Sequence, residues 1–169
     1  MATLDVKLFP GDVLLYSRGG FYGWLIKHKT ASPFTHTETY IGDGLTAASR
    51  NGKGVNSYEF DPSGLALVLR PNLPHPEDFP AGLKWHNSCI GQGYDWLGVF
   101  RAFLSPLGRG NIGRQWCSEH TARFAKKSGY FPFGQAFDSE KVAPADFLKS
   151  PDYTIVWAAT VDHQTEHES

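Results

Sequence analysis

Gly42-Asp43-Gly44 separates two β-patterned runs, Thr35 to Ile41 and Leu45 to Ser49. A Gly-Asp-Gly tripeptide between such runs is a strong hairpin signal, so the runs are expected to pair antiparallel. This hairpin constrains the fold most, because neighbouring runs must join or cover its sheet. Asn51-Gly52-Lys53-Gly54 is a second turn, leading into Val55 to Phe60. Upstream, Gly11-Asp12 opens onto the apolar strand Val13-Leu14-Leu15-Tyr16, and Leu65 to Leu69 reads as a buried strand between Pro62-Ser63-Gly64 and Pro71. Phe21, Trp24, Leu25 and His28 fall at helical spacing, which predicts a short amphipathic helix over Phe21 to Lys29. The N-terminal half therefore reads as one helix plus an antiparallel meander.

The C-terminal half changes period. Glu77 to Ile90 and Tyr94 to Leu104 read as helices separated by Gly91-Gln92-Gly93, and Ser105 to Gly113 as a glycine-rich loop. Cys117 to Ser128 is the next helix, with Lys126 and Lys127 suited to its negative end and Gly129 beyond it. Pro144 to Leu148 adds a helical turn and Tyr153 to Trp157 a last strand. A chain of 169 residues is expected to form one domain, residues 1–161, with a polar tail at 162–169.

Two residues carry the chemistry. Cys117 stands at the start of a predicted helix, where unpaired N–H groups and partial positive charge favour thiolate over thiol. His36 stands at the start of a predicted strand. A thiol and an imidazole so placed are the minimum set for a cysteine nucleophile with its general base, provided the fold brings them together. Side chains two apart on a strand share a face, so His36, Glu38 and Tyr40 point the same way, with Cα atoms of alternate residues roughly 6.5–7 Å apart. Glu38 can therefore reach the imidazole and hold its tautomer. Ser49 and Asn51, near the return strand, are other candidates for that role. Glu119 lies on the far side of the helix from Cys117 and is expected to meet the helix dipole. Tyr16, Trp96 and Trp116 are candidate substrate-binding residues, with core packing as the competing role for each.

The same cysteine belongs to a competing set. His86-Asn87-Ser88-Cys89 and Cys117-Ser118-Glu119-His120 each place two potential zinc ligands at i and i+3. Their helical surroundings argue against zinc, and no metal or cofactor is expected. No phosphate-binding loop, dinucleotide glycine pattern or calcium loop is present. A net charge of −1 without a basic run does not indicate nucleic acid. The N-terminus lacks the pattern of a signal peptide, and no apolar run is long enough to span a bilayer. Synthesis in a reducing cytoplasm, with both cysteines free, is the expectation.

Several segments resemble, in order, the circularly permuted NlpC-type papain-like proteins, the group that includes YiiX-like proteins and relatives of the lecithin retinol acyltransferases. They are Gly11-Asp12-Val13-Leu14, the stretch from Thr35 to Gly44, Gly54-Val55, Gly93 to Gly98, Trp116-Cys117-Ser118-Glu119 and Pro144 to Leu148. The resemblance implies an α+β papain-like fold, with an antiparallel sheet or half-barrel packed against helices, Cys117 as nucleophile and His36 as base. The group's third polar residue often lies on the strand after the histidine, where this chain has Ala47 and Ala48, a departure that favours Glu38. The group's activities include peptide-bond cleavage in bacterial cell walls and acyl transfer from lipids. The chain's lack of a basic amphipathic helix or membrane anchor makes thiol hydrolysis of an amide or peptide bond the expected activity. Its expected substrate is a peptide or bacterial cell-wall peptidoglycan. Acyl transfer from lipids and a non-enzymatic binding role are the alternatives. Lack of a signal peptide would suit a phage-type protein delivered to the wall by other factors, and equally a cytoplasmic enzyme.

Overall fold

The computed structural model describes residues 4–19, 32–72, 79–94 and 114–159. Six strands form one open antiparallel sheet: β1 (Val13–Tyr16), β2 (His36–Gly42), β3 (Leu45–Arg50), β4 (Gly54–Glu59), β5 (Leu65–Pro71) and, near the end of the chain, β8 (Tyr153–Ala158). Between β5 and β8 come helix α1 (Phe79–Cys89), a parallel pair of two-residue strands, β6 (Gly93–Tyr94) and β7 (Arg114–Gln115), helix α2 (Cys117–Lys127) and two 3₁₀ segments, Ser139–Lys141 and Pro144–Lys149. The architecture is α+β. The predicted helices over Phe21 to Lys29 and Tyr94 to Leu104 lie outside the described residues, except Tyr94, which is in β6. The 105–113 loop and the 162–169 tail also lie outside them.

The meander expected for the N-terminal half holds only through β4. The sheet order is β4-β3-β2-β1-β5-β8, so β5 returns to pair with β1 rather than with β4. The reason lies in composition. Every β1 side chain is buried, as befits a strand that needs neighbours on both edges and cover on both faces. β4, with Asn56 and Glu59 exposed, is suited to an edge. Side chains of β1 alternate between two cores. Val13 and Leu15 pack with Leu69, Ala122 of α2 and Phe147. Leu14 and Tyr16 pack on the other face with Leu65 and Val68, and Leu4, Val6, Leu8 and Trp157 lie against them.

Gly42-Asp43-Gly44 makes the predicted reversal with positive φ at all three residues. Gly54 shows the other use of glycine. Its φ is 73°, and a Cβ there would lie 2.2 Å from the carbonyl oxygen of Gln92, so β4 and the segment after α1 meet only because no side chain intervenes.

Candidate active site

The site forms where β2 and β3 part. Their ladder ends at Thr39 opposite Ala47, although β2 continues back to His36 and β3 on to Arg50. The first turn of α2 fills this gap. Ser49 Oγ donates to the Gln115 carbonyl at 2.6 Å, and the hydroxyls of Thr37 and Thr121 meet at 3.1 Å. The register puts Thr37 and Ser49 on the sheet face toward α2, and His36, Glu38, Thr46 and Arg50 on the opposite face. At the opening, the imidazole from one face meets the Cys117 thiol from the other, in hydrogen-bond contact. Thr37 N–H, free of the ladder, donates to the sulfur, as does Ser118 N–H.

Cys117 is the first residue of α2, with Trp116 in extended backbone at the cap position. Glu119 reaches back, Oε2 accepting from Trp116 N–H at 3.4 Å, and pairs with Arg123 at 2.7 Å. Its carboxylate thus completes the helix start, the structural role expected from its position.

His36 Nε2 lies 2.9 Å from Glu38 Oε1, so Nδ1 is the nitrogen left for the thiol. Glu38 is fully buried and takes three further hydrogen bonds: Arg50 Nε donates to Oε1 at 2.7 Å, Arg50 Nη2 to Oε2 at 2.9 Å and Thr46 Oγ1 to Oε2 at 2.7 Å. Ser49 is committed to Gln115 and Asn51 sits in an exposed turn. Arg50 and Thr46 are not among the residues that the sequence singles out. The usable signal is strand parity: both lie on β3 positions facing Glu38, but parity alone does not choose a partner.

Electrostatics follow from these contacts. Burial alone would depress His36, but the Cys117 thiolate and the Glu38 carboxylate outweigh it and raise the imidazole to about 9. Burial pushes the Cys117 thiol up, and the facing imidazolium together with the two backbone N–H groups outweighs that and brings it down. Burial likewise works against the Glu38 carboxylate, yet its hydrogen bonds to His36, Arg50 and Thr46 bring it down to about 2. These directions favour a thiolate–imidazolium pair with an ionised acid behind it.

Reactivity should therefore separate two equally hidden sulfurs. Cys117 is 3% exposed and Cys89 4%, so access does not distinguish them. Cys89 instead accepts from the amide nitrogen of Gln115 at 3.7 Å. Limited iodoacetamide at mildly acidic pH is expected to label Cys117 well before Cys89, read by peptide mass spectrometry. Equal labelling would remove the case for a nucleophile at 117.

Tyr16 and Trp116 are buried, at 0% and 6% exposure. Tyr16 packs beside His36, with ring centroids 5.8 Å apart, and Trp116 precedes the nucleophile. In the free protein both are packing elements of the site rather than exposed cleft walls. Trp96 lies outside the described residues.

The zinc set is not gathered. His86 and His120 do meet, but Nδ1 of one and Nε2 of the other face each other at 3.0 Å, while Cys117 turns to His36 and Cys89 to Gln115. Among the described residues, no group of three or more His, Cys, Asp or Glu side chains is spaced to hold a metal ion.

The two histidines belong to a buried chain. Gln115 Nε2 donates to Gln92 Oε1 at 2.9 Å, so its Oε1 accepts from His120 Nδ1–H at 2.9 Å. His120 Nε2 then accepts from His86 Nδ1–H, and His86 Nε2 accepts from Ser57 Oγ–H at 3.0 Å. Each ring carries one proton. Burial drives His86 down to about 4, and burial plus His86 and Arg123 drive His120 down to about 3. The unfolded chain, with histidines near 6.5, binds more protons than the folded one between about pH 6.5 and these values. Stability should therefore fall as pH drops through that window, by on the order of several kcal/mol for the pair. Thermal melts at pH 7, 5.5 and 4.5 should show it, with a shallower pH dependence in His120→Gln.

Among the described residues, no helix is long and apolar enough to cross a membrane. Scanned against models of known protein families, the chain matches none, and no curated protein matches it.

Proposed function

We propose that this protein is a cysteine hydrolase with a papain-like arrangement, similar to the permuted NlpC-type proteins, and that it cleaves an amide or peptide bond. One observation carries the reading: the helix-start thiol of Cys117 in hydrogen-bond contact with His36, whose Nε2 is held 2.9 Å from a buried carboxylate. In the proposed reaction the Cys117 thiolate attacks the scissile carbonyl carbon. The tetrahedral oxyanion is met by the backbone N–H of Cys117 at the helix start. As the C–N bond breaks, the imidazolium gives its proton to the leaving amine, and a thioester remains on Cys117. His36, now neutral, takes a proton from water as the water attacks the thioester. Collapse releases the acid and restores the ion pair. Glu38 holds the imidazole plane and balances its charge throughout.

The proposed substrate is peptidoglycan, one of the substrate classes that the resemblance offers beside acyl lipids, and a phage-type protein delivered by other factors is the proposed setting. Purified protein incubated with peptidoglycan is expected to release new free amines. Fatty acid released from phospholipid vesicles, without amine release from peptidoglycan, would transfer the reading to acyl-lipid hydrolysis. Absence of both, with an unreactive Cys117, would leave a binding module.

A further inference from the structure

Around the Tyr16 ring, which packs on His36, lie two buried donor atoms without an acceptor among the described residues. Tyr16 is fully buried, yet among the described residues its hydroxyl has no hydrogen-bond partner, and neither does the buried Nη2 of Arg18, a side chain that is 34% exposed elsewhere. A native fold satisfies nearly all such groups, so two in one place call for an explanation. They share one patch, because the Arg18 guanidinium lies 4.4 Å from the Tyr16 ring centroid and that ring packs against His36. Arg18 Nη2 faces Asp61 at 3.6 Å, beyond hydrogen-bond reach, and the Asp61 side chain is 47% exposed.

We propose that Tyr16 Oη and the Arg18 guanidinium form a receptor for a carboxylate of the substrate, beside the Cys117–His36 pair. The proposal rests on the hydrolase reading above and names its substrate class. A guanidinium has only donors, and burial together with the nearby Glu38 carboxylate keeps the Tyr16 phenol protonated, so this hydroxyl is also free to donate. The missing partner must supply acceptor oxygens. A carboxylate supplies two, one for each donor, and balances the Arg18 charge that Asp61 meets only loosely. An amide carbonyl supplies one. A phosphate dianion would bring excess negative charge toward Glu38, whose oxygens are already filled by His36, Arg50 and Thr46. Tyr16 is as closed as Cys117, which is only 3% exposed, while the Arg18 side chain is 34% exposed, so opening that admits substrate to the thiol must also uncover the Tyr16 hydroxyl.

The experiment separates binding from chemistry. In Cys117→Ala protein, which cannot turn over, titration calorimetry is run with acetyl-alanyl-glutamate α-amide, whose side chain is its one carboxylate, and with its carboxylate-free twin, acetyl-alanyl-glutamine α-amide. The carboxylate probe is expected to bind, with its Kd raised about 10- to 100-fold by Tyr16→Phe and by Arg18→Met, while the carboxylate-free twin binds weakly and is indifferent to both changes. Tyr16→Phe removes an unpaired hydroxyl, so its thermal transition should equal or exceed that of the parent. Equal binding of the two probes, binding of neither, or loss of binding accompanied by a lower melting temperature for Tyr16→Phe would each overturn the proposal. Iodoacetamide labelling of the unmodified protein tests the thiol–imidazole pair without any ligand. Carboxylate binding with an unreactive Cys117 would therefore sink the hydrolase reading alone, and a reactive Cys117 with no carboxylate preference would sink the receptor alone.

Discussion

Cys117→Ser is expected to abolish amine release from peptidoglycan while moving the thermal transition by no more than a few degrees. A hydroxyl occupies nearly the space of a thiol, so the packing of α2 against Thr37 should persist. Its ionisation near neutral pH is negligible, so the ion pair that stores the nucleophile disappears. A second readout tests the cause. His36 is raised to about 9 because the thiolate and Glu38 outweigh its burial. Removing the thiolate should lower the imidazole value, measurable by NMR titration of the ring. Retained turnover in Cys117→Ser, or a His36 titration that does not move, would end the thiolate–imidazolium account.

Glu38→Gln is expected to cut turnover by about 10- to 10⁴-fold, by analogy with loss of the acid in a catalytic triad. The carboxylate takes four hydrogen bonds, from His36, Thr46 and twice from Arg50. A glutamine amide has one acceptor oxygen and one donor nitrogen. Nitrogen turned toward His36 forces the tautomer with Nδ1–H, which cannot take the thiol proton; nitrogen turned toward Arg50 sets donor against donor. Either way Arg50, only 16% exposed, keeps a charge without its counterion. That mispairing costs about 3–5 kcal/mol for a fully buried pair and less here. Comparison with Glu38→Gln/Arg50→Met separates the two effects. The double variant relieves the stranded charge and should recover much of the melting temperature, but not the rate. Ser49→Ala should be milder for turnover, because that hydroxyl is spent on the Gln115 carbonyl. A larger rate loss from Ser49→Ala than from Glu38→Gln would move the orienting role off Glu38.

Local features of the site are legible in the residue order. Strand parity puts Glu38 on the His36 face, and the two side chains meet at 2.9 Å. Strand β1 coincides with the predicted run, and α2 begins at the predicted residue, Cys117. Glu119 is expected at the helix start and is found there. These inferences succeed because each depends on backbone geometry over a few residues. The Arg50–Glu38 clamp is not legible in this way, since it crosses from β3 to β2 and several β3 side chains face that way. The zinc pairing fails for a related reason: i, i+3 spacing aligns two side chains on a helix but says nothing of which helix faces it.

The residue order by itself determined the periods, the turns and the chemical character of each position: a thiol at a helix start, an imidazole two residues before a carboxylate, and a first strand apolar on both faces. Tertiary structure decided what these would meet. It placed β5 beside β1, opened the β2–β3 ladder beyond Thr39 and Ala47, and seated the first turn of α2 in that gap. Contacts between residues as distant in sequence as His36 and Cys117 depend on how all the apolar faces are buried at once. No local pattern encodes that choice, because burial energy depends on area removed from water and not on which neighbour removes it.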